Sequence, residues 1–181
     1  IETYEEFAKD FIAGKGFRTV GYYIANKALS DWTLLNRIDL GGKHVLNIGC
    51  SEPIDELTFA SRAESWTAVD LSPESINAAR YIVQHELSPE VVKKIRFQVE
   101  DARKLSFPDE SFDVVLSFST VEHLESKEDR HALFREVARV VKRGGYAVIT
   151  TTNKWCLPYF IFSKWVQRKN YKGKRYFNFE Y

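Results

Sequence analysis

Methionine is absent from all 181 residues, and cysteine is nearly so. The two cysteines, Cys50 and Cys156, are too few and too far apart for a disulfide framework or a zinc site. An excess of charge of either sign is missing as well. Lys and Arg number 26 against 25 Asp and Glu, so the chain presents no global field for nucleic acid or an anionic membrane. Specific nucleic-acid binding is therefore not expected, and any such attraction must come from a local patch. No apolar run reaches the length of a membrane-spanning helix. Glu2, Glu5 and Glu6 stand where a secretory leader would be basic, so the expected location is the cytoplasm. The missing methionine, with Ile1 at the first position, is what a trimmed piece of a longer chain would show. Omitted methionines would show it too, and would shorten some spacings.

What is there suffices for one globular domain, because 44% of the residues are hydrophobic. No internal repeat or low-complexity segment interrupts them. From Tyr4 to Ile38 the pattern is helical: Phe7, Phe11 and Ile12, then Val20, Tyr23, Ile24, Ala28 and Leu29 after a Gly14–Gly16 break. Gly41–Gly42 marks a turn, and five short apolar runs follow as candidate buried strands. These are His44–Ile48, Trp66–Val69, Ile95–Val99, Phe112–Ser117 and Tyr146–Thr151. A helix is expected from Ser72 to Leu87, with Ser72 as N-cap and Pro73 at the first helical position. Another is expected from Lys127 to Val141, with an apolar stripe of Leu133, Phe134, Val137, Val140 and Val141. It is expected to stop at Arg143-Gly144-Gly145, a basic last turn followed by glycine. Strands alternating with such helices predict an α/β fold of βαβ units, a Rossmann-like doubly wound and mainly parallel sheet with helices on both faces. Ligands of such sheets bind beyond the carboxyl ends of the strands, at the topological switch point.

Three features converge on that edge. The first strand ends in Asn47-Ile48-Gly49-Cys50-Ser51, where glycine permits a sharp turn and a close approach of backbone to ligand. About 20 residues on, the second strand ends in Val69-Asp70-Leu71-Ser72, which places Asp70 to accept from ribose hydroxyls. The alternative, that Asp70 caps the next helix, is weakened because Ser72-Pro73 already supplies that cap. Third, Glu100-Asp101-Ala102 ends the third strand, positioned to accept from an exocyclic amine.

With the Phe112-Asp113-Val114-Val115 strand and Val140-Val141-Lys142-Arg143-Gly144-Gly145, these motifs form an ordered series over Lys43 to Asn153. The sequence resembles the class I S-adenosylmethionine-dependent methyltransferases, in the small-molecule branch that includes the ubiquinone-biosynthesis type. The resemblance implies a seven-stranded sheet, of which this chain would hold five strands and lack the carboxyl-terminal ones. It implies that S-adenosylmethionine is the cofactor. Asp70 would hold the ribose with Leu71 beside it, and Asp101 the adenine amine with Ala102 alongside. Gly49 and Cys50, flanked by Asn47 and Ser51, would pass the methionine part, and Ser117-Phe118-Ser119 would lie beneath the sulfonium. An aromatic residue of the amino-terminal helix, Tyr22 or Tyr23, would cover the cofactor or else simply pack. The chain departs from the family at Asn47, where an acid is usual, and at Ser51 and Pro53, where glycines are usual.

Methyl transfer is an in-line displacement, so a base is needed only if the acceptor must lose a proton. The candidate is His123 in Val121-Glu122-His123, because histidine titrates near neutrality. Its local alternative is a hydrogen bond at the start of the next helix. Some relatives bind a divalent metal through a Glu three residues before the Glu-His pair. Ser119 stands there in this chain, so no metal is expected. Residues Trp155 to Trp165 are apolar and aromatic, followed by Lys164, Arg168, Lys169, Lys172, Lys174 and Arg175. Such a segment suits a substrate cover over an apolar acceptor, weak membrane-surface contact through 155–175, or single-stranded nucleic acid; the cover is preferred.

The expected organisation is an amino-terminal helical cap over 1–42, a cofactor-binding core over 43–153 and a truncated aromatic and basic cover over 154–181. The function expected is methyl transfer to a small-molecule acceptor, for which a hydrophobic molecule is one candidate; the alternative is a catalytically silent module on the same fold. A nicotinamide-dependent dehydrogenase would need Gly-x-Gly-x-x-Gly, and Gly49-Cys50-Ser51-Glu52-Pro53 offers one glycine.

Overall fold

In the computed structural model, residues 31–151 are described. Most of the expected amino-terminal cap, and all of the 154–181 cover segment, lie outside them. Among the described residues, helix α1 (Asp31–Leu35) comes first. It ends three residues short of the expected Ile38, where the Ile38 N–H turns back to donate to the Leu35 carbonyl. That turn drops Ile38 and Leu40 into the core.

The five apolar runs become β1 (His44–Ile48), β2 (Ser65–Asp70), β3 (Ile95–Val99), β4 (Phe112–Phe118) and β5 (Val141–Thr150). All neighbours pair in parallel, in the order β3-β2-β1-β4-β5. Central strands of such a sheet are buried on both faces, so they read as continuous apolar runs. Successive side chains point to opposite faces: Val45, Trp66, Val114 and Leu116 join one core layer, and Leu46, Ile48, Val69 and Val115 the other. Each fully buried Leu or Val side chain contributes about 2 kcal/mol.

Helices cover both faces, as a doubly wound sheet requires. On the first face pack α2 (Ile54–Phe59), through Phe59, and α3 (Pro73–Glu86), through Ile76. On the other lies α5 (Lys127–Val140), through Leu133, Val137 and Val140. A short α4 (Pro89–Val92) joins α3 to β3. Helix α3 begins where the cap signal placed it, with the Ser75 N–H donating to Ser72 Oγ at 3.1 Å. Among the described residues no helix is long and apolar enough to cross a membrane.

The carboxyl end of α5 corrects the expected glycine cap. The helix stops at Val140, and the carbonyls of Arg139 and Val140 accept from the N–H groups of Glu110 and Ser111. The chain enters β5 at once, and the register shifts between Phe112 and Val114. Gly144, at φ +77, and Gly145 lie inside that irregularity. A Cβ on Gly145 would stand 2.7 Å from the Asp113 carbonyl, so this glycine serves a close approach of two strands.

No helix joins β3 to β4. The connection is held instead by Arg139 of α5, whose Nη1 donates to the Phe107 carbonyl at 2.7 Å and Nη2 to the Leu105 carbonyl at 3.0 Å. Because this segment crosses back over the sheet, the order of strand addition reverses at β1, and β4 is laid down parallel on its other side. Their carboxyl ends form the switch point.

Candidate cofactor site

Gly49 leaves β1 at φ +76, and its N–H and that of Cys50 both donate to the Val69 carbonyl. The need for glycine comes also from across the cleft: a Cβ there would lie 2.3 Å from Thr120 Oγ1. That hydroxyl donates to the Ile48 carbonyl at 3.0 Å, tying the loop after β4 to the end of β1. Two non-glycine residues at the same edge adopt left-handed backbone, Ser51 at φ 40 and Ser119 at φ 54. Such conformations cost about 1–3 kcal/mol and concentrate at functional sites.

Asp70 organises the turn opposite. Its Oδ2 accepts from the Ser51 N–H at 3.0 Å and its Oδ1 from the Ser72 N–H at 2.9 Å. One carboxylate thus joins the glycine turn to the start of α3, while Ser72 supplies the helix cap. A carboxylate oxygen carries two lone pairs, so each keeps one for a ligand. Asp101 follows β3 in a tight turn closed by the Lys104 N–H donating to its carbonyl. Its carboxylate is gripped by Arg103, whose hydrogen bonds hold it below the usual range for an aspartate.

These groups surround a cavity of about 810 Å³. Gly49, Ser51, Asp70 and Leu71 line it from the ends of β1 and β2, and Asp101 and Ala102 from the end of β3. Phe118, Ser119 and His123 line it from the end of β4, with His123 closing a short 3₁₀ turn (Val121–His123). The structure therefore gathers nine of the expected site residues on one opening. The volume and the converging acceptors suit a nucleoside-sized ligand.

A sequence profile of the family described as "Methyltransferase domain" matches residues 46–149, more than half of the chain. The chain belongs to the methyltransferase domain family. It is 32% identical over 119 residues to a ubiquinone biosynthesis O-methyltransferase of Xanthomonas oryzae pv. oryzae, covering 65% of this chain and 46% of that protein. It is 33% identical over 148 residues to a 2-methyl-6-phytyl-1,4-hydroquinone methyltransferase of Synechocystis, covering 81% of this chain and 41% of that one. The chain thus spans less than half the length of these relatives. Among solved structures, a SAM-dependent methyltransferase of Methanosarcina mazei superposes with a TM-score of 0.61 at 28% identity, covering 72% of this chain and 62% of that one.

Three residues expected at the site stand apart from the cavity lining in this methyltransferase domain. The side chains of Asn47, Cys50 and Ser117 do not line the cavity. Asn47 and Ser117 still lie inside their strands, so their side chains face the covering layers rather than the open edge. Asn47 is buried and its Nδ2 donates to Glu56 Oε1 at 2.7 Å. Cys50 turns into the core on the α2 side, where burial and the charges of Glu56 and Asp70 push its thiol well up, leaving it unreactive. Tyr22 and Tyr23 lie outside the described residues.

Other residues at the site went unread in the sequence. Thr120 and Arg103 carry no motif, and their partners Ile48 and Asp129 are distant in the chain. Glu122 lines the cavity and its Oε2 accepts from Thr151 Oγ1 at 3.0 Å, bracing the ends of β4 and β5 together. Among the described residues no three His, Cys, Asp or Glu side chains are grouped to hold a metal.

Proposed function

We propose that this domain binds S-adenosylmethionine and transfers its methyl group to a small, apolar, phenolic acceptor. The observation that carries the cofactor reading is the pair of acceptor carboxylates, Asp70 and Asp101, at the carboxyl ends of adjacent strands and on one cavity with the Gly49 turn. Asp70 keeps lone pairs for ribose hydroxyls beyond the two backbone N–H groups it already accepts, and Asp101 receives the adenine amine. Leu71, 65% exposed at the rim, offers an apolar surface that needs a partner. The acceptor reading is supported by the two relatives' names, which specify a ubiquinone-biosynthesis O-methyltransferase and a phytylated hydroquinone methyltransferase.

The cofactor, when bound, supplies a methyl group made electrophilic by its sulfonium. The protein's part is to align the two reactants and exclude water, which is worth several kcal/mol of barrier. His123, on the β4 side of the same cavity, takes the phenolic proton as the oxygen becomes the nucleophile.

The test is calorimetric titration of S-adenosylhomocysteine into the full chain, with Asp70→Ala and Asp70→Asn alongside. The wild type is expected to bind at micromolar Kd or tighter, about −8 kcal/mol, and Asp70→Ala to lose that binding. Asp70→Asn, which keeps an acceptor on one oxygen, is expected to bind more weakly than wild type and better than Asp70→Ala. Absence of binding by the wild type would overturn the reading and leave the silent-module alternative.

A further inference from the structure

Beside the expected adenine acceptor stands a cation that no motif announced. Arg103 Nε donates to Asp101 Oδ1 at 2.9 Å and to Oδ2 at 3.1 Å, and Nη2 donates to Oδ2 at 2.7 Å. The Arg103 backbone N–H adds a further bond to Oδ1 at 2.9 Å. The far side of the guanidinium is held as well, since Nη1 donates to Asp129 Oδ1 at 3.1 Å. Asp129 belongs to the first turn of α5, where its own N–H donates to Ser126 Oγ. Carboxylates from two separate elements therefore fix one planar fork, and all three side chains line the cavity.

This arrangement has little to do for folding. The side chains are 41% exposed for Arg103, 35% for Asp101 and 31% for Asp129, and ion pairs this open to solvent contribute little to stability. Its effect on Asp101 is larger. An ionised carboxylate offers about four lone-pair positions. Three hydrogens of Arg103 occupy this carboxylate: the backbone N–H on Oδ1, one Nη2 hydrogen on Oδ2, and the Nε hydrogen shared between the two oxygens with its shorter contact to Oδ1. Three hydrogens against about four positions leave room for one more donor, on the Oδ2 side. The guanidinium also keeps the carboxyl ionised, so it accepts and does not donate.

We propose that Arg103 is a positioning residue for nucleobase recognition, holding Asp101 in one orientation so that a 6-aminopurine is accepted and a 6-oxopurine is rejected. The proposal rests on the reading of this cavity as the S-adenosylmethionine site. An exocyclic amine has a hydrogen to give to the open position on Oδ2. A 6-oxo group meets that position with a second acceptor, and a fixed carboxylate cannot rotate away from it. Freed from Arg103, the carboxylate turns among several orientations and meets either base with water interposed. Lysine would restore the charge at Arg103 but not the planar fork.

The test compares S-adenosylhomocysteine with S-inosylhomocysteine by calorimetry on the full chain, for wild type, Arg103→Ala and Arg103→Lys. The wild type is expected to favour the adenine ligand by about 100-fold, short of the discrimination reached by enclosed hydrogen-bonding sites. Arg103→Ala is expected to weaken the adenine ligand by about 10-fold and the inosine ligand by less than 2-fold, so the preference falls toward 10-fold. Arg103→Lys is expected to fall between them. Equal losses for both ligands in either variant would make Arg103 a merely structural brace and overturn the proposal. A wild type that binds both ligands alike would also overturn it. A wild type that binds neither would overturn the cofactor reading on which it stands.

Discussion

Raising the pH is expected to weaken this fold through one buried carboxyl. Glu56 of α2 is fully buried beneath the glycine turn, and its Oε1 accepts from Asn47 Nδ2 at 2.7 Å and from Trp66 Nε1 at 2.9 Å. Its Oε2 has no hydrogen-bond partner among the described residues. Burial first, and the charge of Asp55 second, raise the carboxyl from 4.5 to about 7, against the lowering pull of Asn47 and Trp66. An acid raised in the folded state binds its proton more tightly there than in the unfolded chain. The stability this provides is complete below pH 4.5 and is lost as pH rises through about 7. At 1.36 kcal/mol per pH unit, the rise from 4.5 to about 7 corresponds to about 3 kcal/mol. Glu56→Gln keeps the Oε1 acceptor and has no charge to bury. Urea unfolding of both proteins from pH 4.5 to 8 checks this, because the other titrating groups cancel in the difference. The variant is expected to gain on the wild type by about 3 kcal/mol across that range, or about 6–12 °C in melting temperature. A difference that stays flat with pH would refute the account of Glu56.

Asn47→Asp would face Glu56 with a second carboxylate, so it is expected to cost about 2–3 kcal/mol at pH 8 and less at pH 5. Equilibrium unfolding of Asn47→Asp alone and combined with Glu56→Gln checks this, since the double variant should recover most of the loss. Gly49→Ala combines a left-handed backbone with a Cβ 2.3 Å from Thr120 Oγ1. It is expected to lose about 3 kcal/mol, read as a fall of about 6–12 °C in melting temperature. His123→Asn is expected to bind S-adenosylhomocysteine as the wild type does while turnover of a phenolic acceptor falls by about 100-fold or more. A matching loss of S-adenosylhomocysteine affinity, or unchanged turnover, would refute the role given to His123.

Where sequence reading succeeded and failed follows from the range of the interactions involved. Strands β1 and β3 begin and end where their apolar runs do, though only β1 is buried on both faces; β3, at the sheet edge, was expected as a buried strand and instead has only half-buried and exposed positions. The start of α3 was legible because Ser72 and Pro73 act on their immediate neighbours. Helix α2 was not, for its six residues are too few to show a period and its first turn buries Asp55 and Glu56. The end of α5 was misread because its last carbonyls are met by Glu110 and Ser111, some 30 residues away in sequence, so the local glycine signal had nothing to cap. The site divides in the same way. Asp70 ends β2 and Asp101 lies just past the end of β3, where a carboxylate has little reason to be except to accept something. Asn47 and Ser117 sit inside strands, where facing the ligand depends on a parity that a motif match does not carry.

The departures from the family pattern at the first turn compensate one another. An acid is usual where Asn47 stands, but in this chain the buried acid is Glu56, and two carboxylates at hydrogen-bond distance would strongly raise the proton affinity of one. The amide removes that conflict and supplies one of the donors that Glu56 needs. Trp66, fully buried on the adjacent strand, supplies the other. The loss of glycine at Ser51 is met similarly. Its left-handed φ of 40 is held by its N–H donating to Asp70 Oδ2, so the strain is borne by the same carboxylate proposed to hold the ribose. Flexibility in the glycine turn has been exchanged for two fixed carboxylates. Glu56 supports the turn from the core, and Asp70 orders its cavity face. Removing Glu56's charge should therefore alter stability with little effect on ligand affinity, whereas altering Asp70 should affect both.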